Sequence, residues 1–215
     1  MKQLGLDIGS TTLKYVLSDE TGSILQKNYV RHGAKIDEKL AELLQQLEEQ
    51  FPEEELQLTV SGSAGLGLSE ALGLPFVQEV FAEKLSAEQY CPGTDTVIEL
   101  GGEDAKILFL TDGFEMRMNG TCAGGTGAFI DQMASLMQVT PLELNELAAR
   151  AETVPTIASR CGVFAKSDIQ PLLNQGMRHE DIAAGILRAV VNQTVAGLAQ
   201  GRAIKGKLLY LGGPL

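Results

Sequence analysis

The chain has 215 residues and a formal net charge of −11 at pH 7, and 44% of its residues are hydrophobic and 21% charged. This composition supports a folded core and excludes a disordered chain. Because so acidic a protein repels phosphate backbones and anionic lipids, the charge predicts no nucleic-acid partner and no membrane partner.

The first 90 residues are predicted to alternate between strands and helices, as in a mixed α/β domain. Hydrophobic alternation predicts strands at residues 4–9, 13–19 and 24–30, with a hairpin turn at residues 19–22. An apolar stripe predicts a helix at residues 36–51, and an apolar run predicts a buried strand at residues 56–60. A loop at residues 61–65, one short helix and a connector complete this half.

The same order of elements begins again after Cys91, Pro92 and Gly93. Strands are predicted at residues 94–100, 105–110, 114–118 and 207–211, and helices at residues 124–137, 141–149, 164–173 and 178–202. The repeat predicts an α/β fold of two similar halves with mixed sheets, residues 1–92 and 93–215, and a ligand cleft between them. Because a final strand normally has a covering helix, we expect the second half to be incomplete and to continue beyond Leu215 in a longer protein.

The N-terminus lacks the basic start, apolar stretch and cleavage site of a secretory signal, and no apolar run is judged long enough to span a bilayer. Three cysteines are too few for a disulfide framework in a chain of this length. The sequence therefore predicts a cytoplasmic protein whose cysteines are buried thiols, catalytic thiols or metal ligands.

Two acidic glycine turns, one in each half, are the candidate phosphate sites. In each, a strand ends near a carboxylate, Asp7 or Glu99, and a glycine turn leads into the next strand. Glycine permits close backbone approach, N–H groups bind an anion, and a strand-end carboxylate suits hydrated Mg²⁺. Asp7 and Glu99 are the predicted catalytic residues. The predicted nucleotide-binding residues are Gly9, Ser10, Thr11, Thr12, Leu13, Lys14, Gly101, Gly102, Glu103, Asp104, Gly212 and Gly213.

Simpler interpretations of these turns exist. The first turn could be an ordinary hairpin with a solvated lysine, and the second an acidic turn without a ligand. No GxxxxGK[ST] sequence is present, which excludes a P-loop protein. His32 and His179 lie in unrelated segments and are expected at the surface rather than in catalysis.

Two of the three cysteines precede predicted helices. Cys122 and Cys161 fall at or just before a helix N-terminus, where the helix dipole stabilises a thiolate, the form that ligates metals. A four-iron cluster takes four thiolates, so two chains would be needed to supply them. Two reduced structural cysteines are the alternative, and Cys91, in a connector, is expected to be structural.

Four segments occur in the same order as in a known family. They are residues 7–14 (DIGSTTLK), 101–106 (GGEDAK), 120–127 (GTCAGGTG) and 161–167 (CGVFAKS). They resemble the ATP-dependent activators of 2-hydroxyacyl-CoA dehydratases, a family that includes the ATPase subunits of benzoyl-CoA reductase. The resemblance covers the whole chain; the glycine turns are shared with the acetate and sugar kinase, actin and heat-shock-chaperone superfamily, whereas the cysteine segments are specific to the activators.

The resemblance implies two actin-like, ribonuclease-H-like halves that bind ATP or ADP in the cleft, with Asp7 holding Mg²⁺ through water. It implies a homodimer with one 4Fe–4S cluster ligated by Cys122 and Cys161 of each chain. It also implies an ATPase that drives electron transfer. A reduced flavodoxin or ferredoxin would supply the electron, and ATP binding and hydrolysis would push it into a partner acyl-CoA dehydratase or reductase.

The chain departs from the family pattern at three places. Glu99 and Glu103 stand where the activators usually have aspartate and glutamine, and residues 79–83 lack a histidine that is usual there. Residues 212–215 are closer to very long activator-like proteins with extra C-terminal domains. A small-molecule kinase of the same superfamily and an ATP-binding scaffold with structural cysteines are the alternative functions.

Overall fold

The computed structural model describes residues 1–52, 54–119, 124–157 and 162–213. The chain divides into two compact units, Met1–Ser86 and Ala87–Leu215, and each contains a four-stranded mixed sheet. The α/β class and the mixed sheets predicted from the sequence are therefore confirmed. The predicted domain limits, residues 1–92 and 93–215, stay a prediction.

The first unit contains three strands, a helix, a fourth strand and a second helix. These are β1 (Lys2–Ile8), β2 (Thr12–Ser18), β3 (Ile24–Arg31), α1 (Ile36–Gln50), β4 (Leu56–Ser61) and α2 (Gly65–Leu72). The sheet order is β3-β2-β1-β4, with β1 antiparallel to β2 and parallel to β4. Helix α3 (Glu79–Tyr90) contains the division between the two units.

Alternation of side chains along the strands places the first core on one face of this sheet. Asp7 and Lys14 lie on the opposite face, so a carboxylate and an ammonium group stand outside the apolar core. The buried core residues are Leu4, Leu6, Ile8, Leu13, Tyr15, Leu17, Leu40, Leu43, Leu47 and Val60.

The second unit repeats the strand arrangement and adds helices. It contains β5 (Thr96–Leu100), β6 (Ala105–Phe109), β7 (Glu115–Met118), α4 (Gly127–Leu136), α5 (Pro141–Ala148), α6 (Gly162–Asn174), α7 (His179–Thr194), a π-helical segment (Val195–Ala199) and β8 (Leu208–Leu211). The sheet order is β7-β6-β5-β8, with β5 antiparallel to β6 and parallel to β8. All five residues of β6 are buried, and Ala105, Ile107 and Phe109 share one core with side chains of α4 and α7.

The prediction of one short helix and a connector before Tyr90 was wrong, because two helices, α2 and α3, occupy this region. The buried residue of α3 is Ala87. A helix with so small a buried face shows no apolar stripe in its sequence, which explains why it was missed.

The predicted helix at residues 178–202 was too long. It ends as α7 at Thr194 and continues as the π-helical segment, after which Gln200 and Gly201 adopt left-handed φ values of 45° and 85°. By length and composition, His179–Ala199 could cross a membrane, with a mean hydropathy of 1.4, so the expectation that no run was long enough was wrong. Half of this window is buried within the fold, which is the pattern of a core helix.

Candidate functional site

The first glycine turn joins β1 to β2 and carries a carboxylate–ammonium pair. The Gly9 N–H donates to Thr12 O at 2.9 Å, which closes the turn. Asp7 and Lys14 are partners in the strand register, and Lys14 Nζ lies 2.6 Å from Asp7 Oδ2 with the side chains 34% and 37% exposed. Asp7 Oδ1 is buried and has no hydrogen-bond partner among the described residues. This oxygen fits a ligand that brings a donor or a positive charge, such as hydrated Mg²⁺.

A buried histidine contacts this turn. His32 is 3% exposed, and its Nε2 lies 3.0 Å from Gly9 O. The expectation that His32 lies at the surface was wrong, because the chain turns sharply after β3 and carries the ring inward. His179, at the start of α7, is exposed as predicted.

The second glycine turn, between β5 and β6, repeats the geometry of the first with a buried ion pair. The Gly101 N–H donates to Asp104 O at 2.8 Å. Glu99 and Lys106 are register partners, and Lys106 Nζ lies 2.8 Å from Glu99 Oε2 and 3.6 Å from Asp104 Oδ2. The Lys106 side chain is 5% exposed and that of Glu99 18%, whereas Glu103 is exposed at the turn. Lys106 was not among the site residues predicted from the sequence.

A glycine also follows the parallel neighbour of each first strand, Gly62 after β4 and Gly212 after β8. Their φ values are 96° and 117°, and a Cβ at either position would overlap the backbone of Ile8 or of Leu100. Close strand packing therefore requires both glycines, independently of any ligand. Gly62 was missed because its segment has no acidic turn, although its position after a parallel strand matches that of Gly212. Gly213, beside Gly212, is exposed.

Cys122 and Cys161 lie outside the described residues, but the chain on either side of each is described. Before Cys122, Asn119 donates its N–H to Ala105 O at 3.0 Å and accepts the Ala105 N–H on Oδ1 at 2.7 Å. Ala105 begins β6 directly after the second glycine turn. The chain entering residues 120–123 is therefore tied to that turn.

The chain leaving residues 120–123 is tied to the same turn. The Gly127 N–H donates to Gly101 O at 2.9 Å, and the Ala128 N–H donates to Gly102 O at 2.7 Å. These donors belong to the first turn of α4, whose N–H groups have no partner within the helix. The second glycine turn thus supplies the acceptors that complete the N-terminus of α4.

Helix α7 contacts the described chain near both cysteine segments. The turn at Gly125 has a φ of 83°, and a Cβ there would lie 3.1 Å from the Gln193 side chain. A Cβ at Gly185 would lie 2.8 Å from Pro155 O, so only a hydrogen allows residues 155–157 to pack this close to α7. Gly162, at the start of α6, packs against the Gln132 amide of α4.

Asp181, at the N-terminus of α7, holds the chain that leads towards Cys161. Its Oδ1 accepts the N–H groups of Thr153 at 3.0 Å and Glu152 at 2.8 Å, and its Oδ2 accepts the Thr153 hydroxyl at 2.8 Å. These bonds, the one from the Thr153 N–H first, hold the pKa of Asp181 below its usual value, because they favour the charged form.

Cys91 is a free and partly buried thiol. Its carbonyl accepts the Thr94 N–H at 3.2 Å and the Thr94 hydroxyl at 2.6 Å, a turn that follows the end of α3. Within the described ranges, no group of three or more histidine, cysteine, aspartate or glutamate side chains could hold a metal ion. A structural role for Cys91 stays a prediction.

Comparisons with known proteins extend over nearly the whole chain. Residues 4–215 match the family described as the BadF/BadG/BcrA/BcrD ATPase family. The (R)-2-hydroxyglutaryl-CoA dehydratase activating ATPase of Acidaminococcus fermentans is 31% identical over 213 residues, which are 98% of this chain and 82% of that protein.

Two solved structures share the fold at similar identity. Component A of the A. fermentans (R)-2-hydroxyglutaryl-CoA dehydratase has a TM-score of 0.89 and 30% identity, covering 99% of this chain and 83% of its own. The Clostridium difficile activator of 2-hydroxyisocaproyl-CoA dehydratase, with bound ADPNP, has a TM-score of 0.86 and 28% identity, covering 99% of this chain and 80% of its own.

Proposed function

The chain belongs to the BadF/BadG/BcrA/BcrD ATPase family, and from this premise we propose that it is an ATP-dependent activator of an acyl-CoA dehydratase or reductase. It would use ATP binding and hydrolysis to drive low-potential electron transfer from an iron–sulfur cluster shared by two subunits. Two relatives named as activators of acyl-CoA dehydratases support the role. The observation that carries it is the set of hydrogen bonds joining the second glycine turn to both ends of residues 120–123.

The first turn is the proposed site for Mg²⁺ and phosphate. Asp7 Oδ1, which is buried and has no partner in the described part of the chain, supports a role for Asp7 in holding hydrated Mg²⁺, which prefers a carboxylate with water and phosphate oxygens. Lys14, which is paired with Asp7 Oδ2, would turn its ammonium group to the phosphates. The N–H groups and hydroxyls of residues 10–12 would bind phosphate oxygens, with Gly9 allowing their approach and Leu13 continuing the segment into β2.

The second turn is the proposed site of catalysis. Glu99 would orient the attacking water, because the Lys106 ammonium holds its carboxylate in place at 2.8 Å. Gly101 and Gly102 would give the nucleotide close access to the backbone. Proposed nucleotide contacts here also include Glu103, Asp104, Gly212 and Gly213.

The hydrogen bonds around residues 120–123 give the turn a route to the cysteine segment. A displacement of Gly101 and Gly102 on nucleotide binding would move their acceptors, which bind the N–H groups of Gly127 and Ala128. Asn119 is fixed to Ala105 on the other side. Both ends of the Cys122 segment would therefore follow a change in the turn, which is the coupling that an ATP-gated electron carrier needs.

Cys122 and Cys161 are the proposed ligands of a 4Fe–4S cluster. Each chain offers two thiols at these positions, and the cluster takes four, so a homodimer completes the set. Val163 and Phe164 lie two and three residues after Cys161 and are 67% and 64% exposed. Their exposed apolar surface, which a second copy would bury, supports a dimer contact at this end of α6. When bound, the cluster supplies a one-electron carrier at low potential.

We further propose that a reduced flavodoxin or ferredoxin is the electron donor and that the protein acts in the cytoplasm. Both follow from the chemistry, since a low-potential electron requires a low-potential donor and the cluster requires a reducing compartment.

Anaerobic reconstitution followed by iron analysis tests the cluster assignment. About four irons per dimer are expected from the four-thiolate requirement of a four-iron cluster. Cys122→Ser and Cys161→Ser should each lose the iron, while Cys91→Ser, the matched control, should keep it. Four irons per monomer, or none in a folded dimer, would contradict the assignment.

A further inference from the structure

The protonation state of His32 is fixed by its two ring contacts. Nε2 lies 3.0 Å from Gly9 O, which only accepts hydrogen bonds. Nδ1 lies 3.1 Å from the Ala34 N, which only donates. Nε2 must therefore carry the hydrogen and Nδ1 must be bare, so His32 is the neutral Nε2–H tautomer.

The backbone after β3 is shaped to place this ring. Gly33 and Ala34 both have left-handed φ values, 54° and 63°, and two such residues in succession turn the Ala34 N–H back onto the ring. The Lys35 N–H closes the same turn on His32 O at 2.9 Å. A left-handed alanine is energetically unfavourable, so the surrounding hydrogen bonds must maintain it.

The histidine is joined to the first glycine turn twice. Besides the bond from Nε2 to Gly9 O, the His32 N–H donates to Thr11 O at 3.2 Å. His32 is 3% exposed, so water cannot readily replace these bonds. Two carbonyl groups of the turn are thereby directed towards His32.

This arrangement fixes the direction of an N–H group on the other side of the turn. No cis peptide bond occurs among the described residues, and in a trans peptide the C=O and the following N–H point in opposite directions. Because the Gly9 carbonyl points to His32, the Ser10 N–H points away from it. Ser10 is exposed, so this N–H is directed to the open side of the turn.

We propose that His32 is a positioning residue for the phosphate site. By holding the Gly9 carbonyl, it orients the Ser10 N–H as an anion donor before the nucleotide arrives. The inference rests on the proposed function, because it assigns the open side of this turn to a phosphate group. It adds a residue of the β3–α1 connection to a site otherwise built from the β1–β2 turn.

Two substitutions separate the ring's two bonds. His32→Gln places an amide N–H where Nε2 stands, and so keeps the bond to Gly9 O and loses the acceptor for Ala34. His32→Asn places a carbonyl oxygen where Nδ1 stands, and so keeps the acceptor and loses the bond to Gly9. Each variant retains one of the two bonds, and both should unfold at similar temperatures.

Calorimetric titration with Mg²⁺ and ADP then gives the test. His32→Gln should bind within about twofold of the wild type, whereas His32→Asn should bind about five- to tenfold more weakly, the effect of one lost hydrogen bond. Equal affinities for the two variants would overturn the inference, since a merely structural role predicts that affinity follows stability. Absence of binding by the wild type would instead overturn the proposed function.

The tautomer can be measured without a variant. In a nitrogen–proton correlation spectrum of the wild-type imidazole at neutral pH, a protonated Nε2 and a bare Nδ1 are expected, and Mg²⁺ with ADP should shift these signals. A bare Nε2 would contradict the hydrogen bond to Gly9, and a spectrum unaffected by saturating nucleotide would contradict the positioning role.

Discussion

The two glycine turns have the same strand register and the same closing hydrogen bond, but their ion pairs lie in different surroundings. The pair of Asp7 and Lys14 is about one-third exposed, whereas the pair of Glu99 and Lys106 is shielded from water. An exposed pair contributes little to stability and readily exchanges partners. A shielded pair is costly to break, because either charge left alone remains desolvated. The first turn is thus suited to exchange of ligands and the second to holding a fixed geometry.

The turns also differ in what supports them. The first is joined to the buried side chain of His32, and the second to the N-terminus of α4. The His32 side chain stabilises the first turn alone. The N-terminus of α4 connects the second turn to the whole helix and to the residues that pack against it. Under the proposed function, nucleotide chemistry at the second turn would therefore be the part that affects the cysteine segment.

Breaking the shielded pair should have the largest effect. Lys106→Met leaves the Glu99 carboxylate, whose side chain is only 18% exposed, without its partner, and should lower the free energy of unfolding by about 3 kcal/mol. Lys14→Met removes the exposed equivalent and should cost about 1 kcal/mol or less. Urea denaturation of the two variants measures the difference directly.

The double variant Glu99→Gln/Lys106→Met is the control for this prediction. Removing both charges should recover most of the stability that Lys106→Met loses, because the remaining unpaired carboxylate, that of Asp104, is 40% exposed to water. Equal costs for Lys106→Met and Lys14→Met would show that burial does not distinguish the two turns.

Substitution of the glycines that follow the parallel strands, Gly62 and Gly212, should have the next largest effect on stability. Gly62→Ala and Gly212→Ala force a Cβ into the backbone of β1 or β5 and disfavour a positive φ, so each should cost about 2–3 kcal/mol of unfolding free energy. Gly67→Ala is the matched control. It lies in α2 with open space around its Cβ position, so alanine should be neutral or stabilise by about 1 kcal/mol or less. A Gly212→Ala variant as stable as Gly67→Ala would show that this glycine is not required by packing.

A substitution in the first glycine turn should change ligand affinity more than it changes the free energy of unfolding. Asp7→Ala is expected to weaken binding of Mg²⁺ and ATP by roughly tenfold or more, since about 1.4 kcal/mol corresponds to each factor of ten. Its effect on stability should be small, because the carboxylate is partly exposed. Titrations with and without Mg²⁺ check this, and unchanged affinity in the presence of Mg²⁺ would show that the magnesium site is misassigned.

The smallest expected effect is the pH dependence of stability that Asp181 causes. Its folded pKa is lowered by the hydrogen bonds from residues 152 and 153. Its contribution to stability is therefore present above the unfolded value of about 3.9 and is lost as the pH falls through the lower folded value. Asp181→Asn should destabilise the protein at neutral pH and approach the wild type in acid.

Denaturation curves recorded from neutral to acidic pH measure this trend. Asp37→Asn, an exposed residue at the start of α1, is the control and should show a smaller difference. A gap between Asp181→Asn and the wild type that stays constant down to the most acidic pH would contradict the assignment.

Much of the fold was predictable because its signals are local. The alternation in β1 and β2 and the stripe of α1 identify elements that bury one face each. The second helix before Tyr90 was not predictable in this way, since Ala87 is the one residue of α3 that is fully buried. The π-helical segment was also missed, because a change in helical winding between Thr194 and Gln200 leaves no hydrophobic period to detect.

The residues of the candidate site likewise fall into those that local sequence patterns predicted and those that they missed. Asp7, Lys14 and Glu99 were identified from strand ends and glycines, which lie close in sequence. His32 and Gly62 were missed because their contacts, with Gly9 and Ile8, depend on how distant strands pair. Such long-range contacts follow from the tertiary structure and not from any local pattern.

The central proposal is that nucleotide binding at the second glycine turn controls the Cys122 segment. The most direct measurement is the electron paramagnetic resonance spectrum of the reconstituted and reduced dimer with Mg²⁺ and ATP and then with Mg²⁺ and ADP. The account predicts that the spectrum changes with the nucleotide in the wild type and changes less in Asp7→Ala, both at nucleotide concentrations that just saturate the wild type, because the weaker-binding variant is then only partly occupied. Identical spectra in the wild type under saturating ATP and ADP would contradict it.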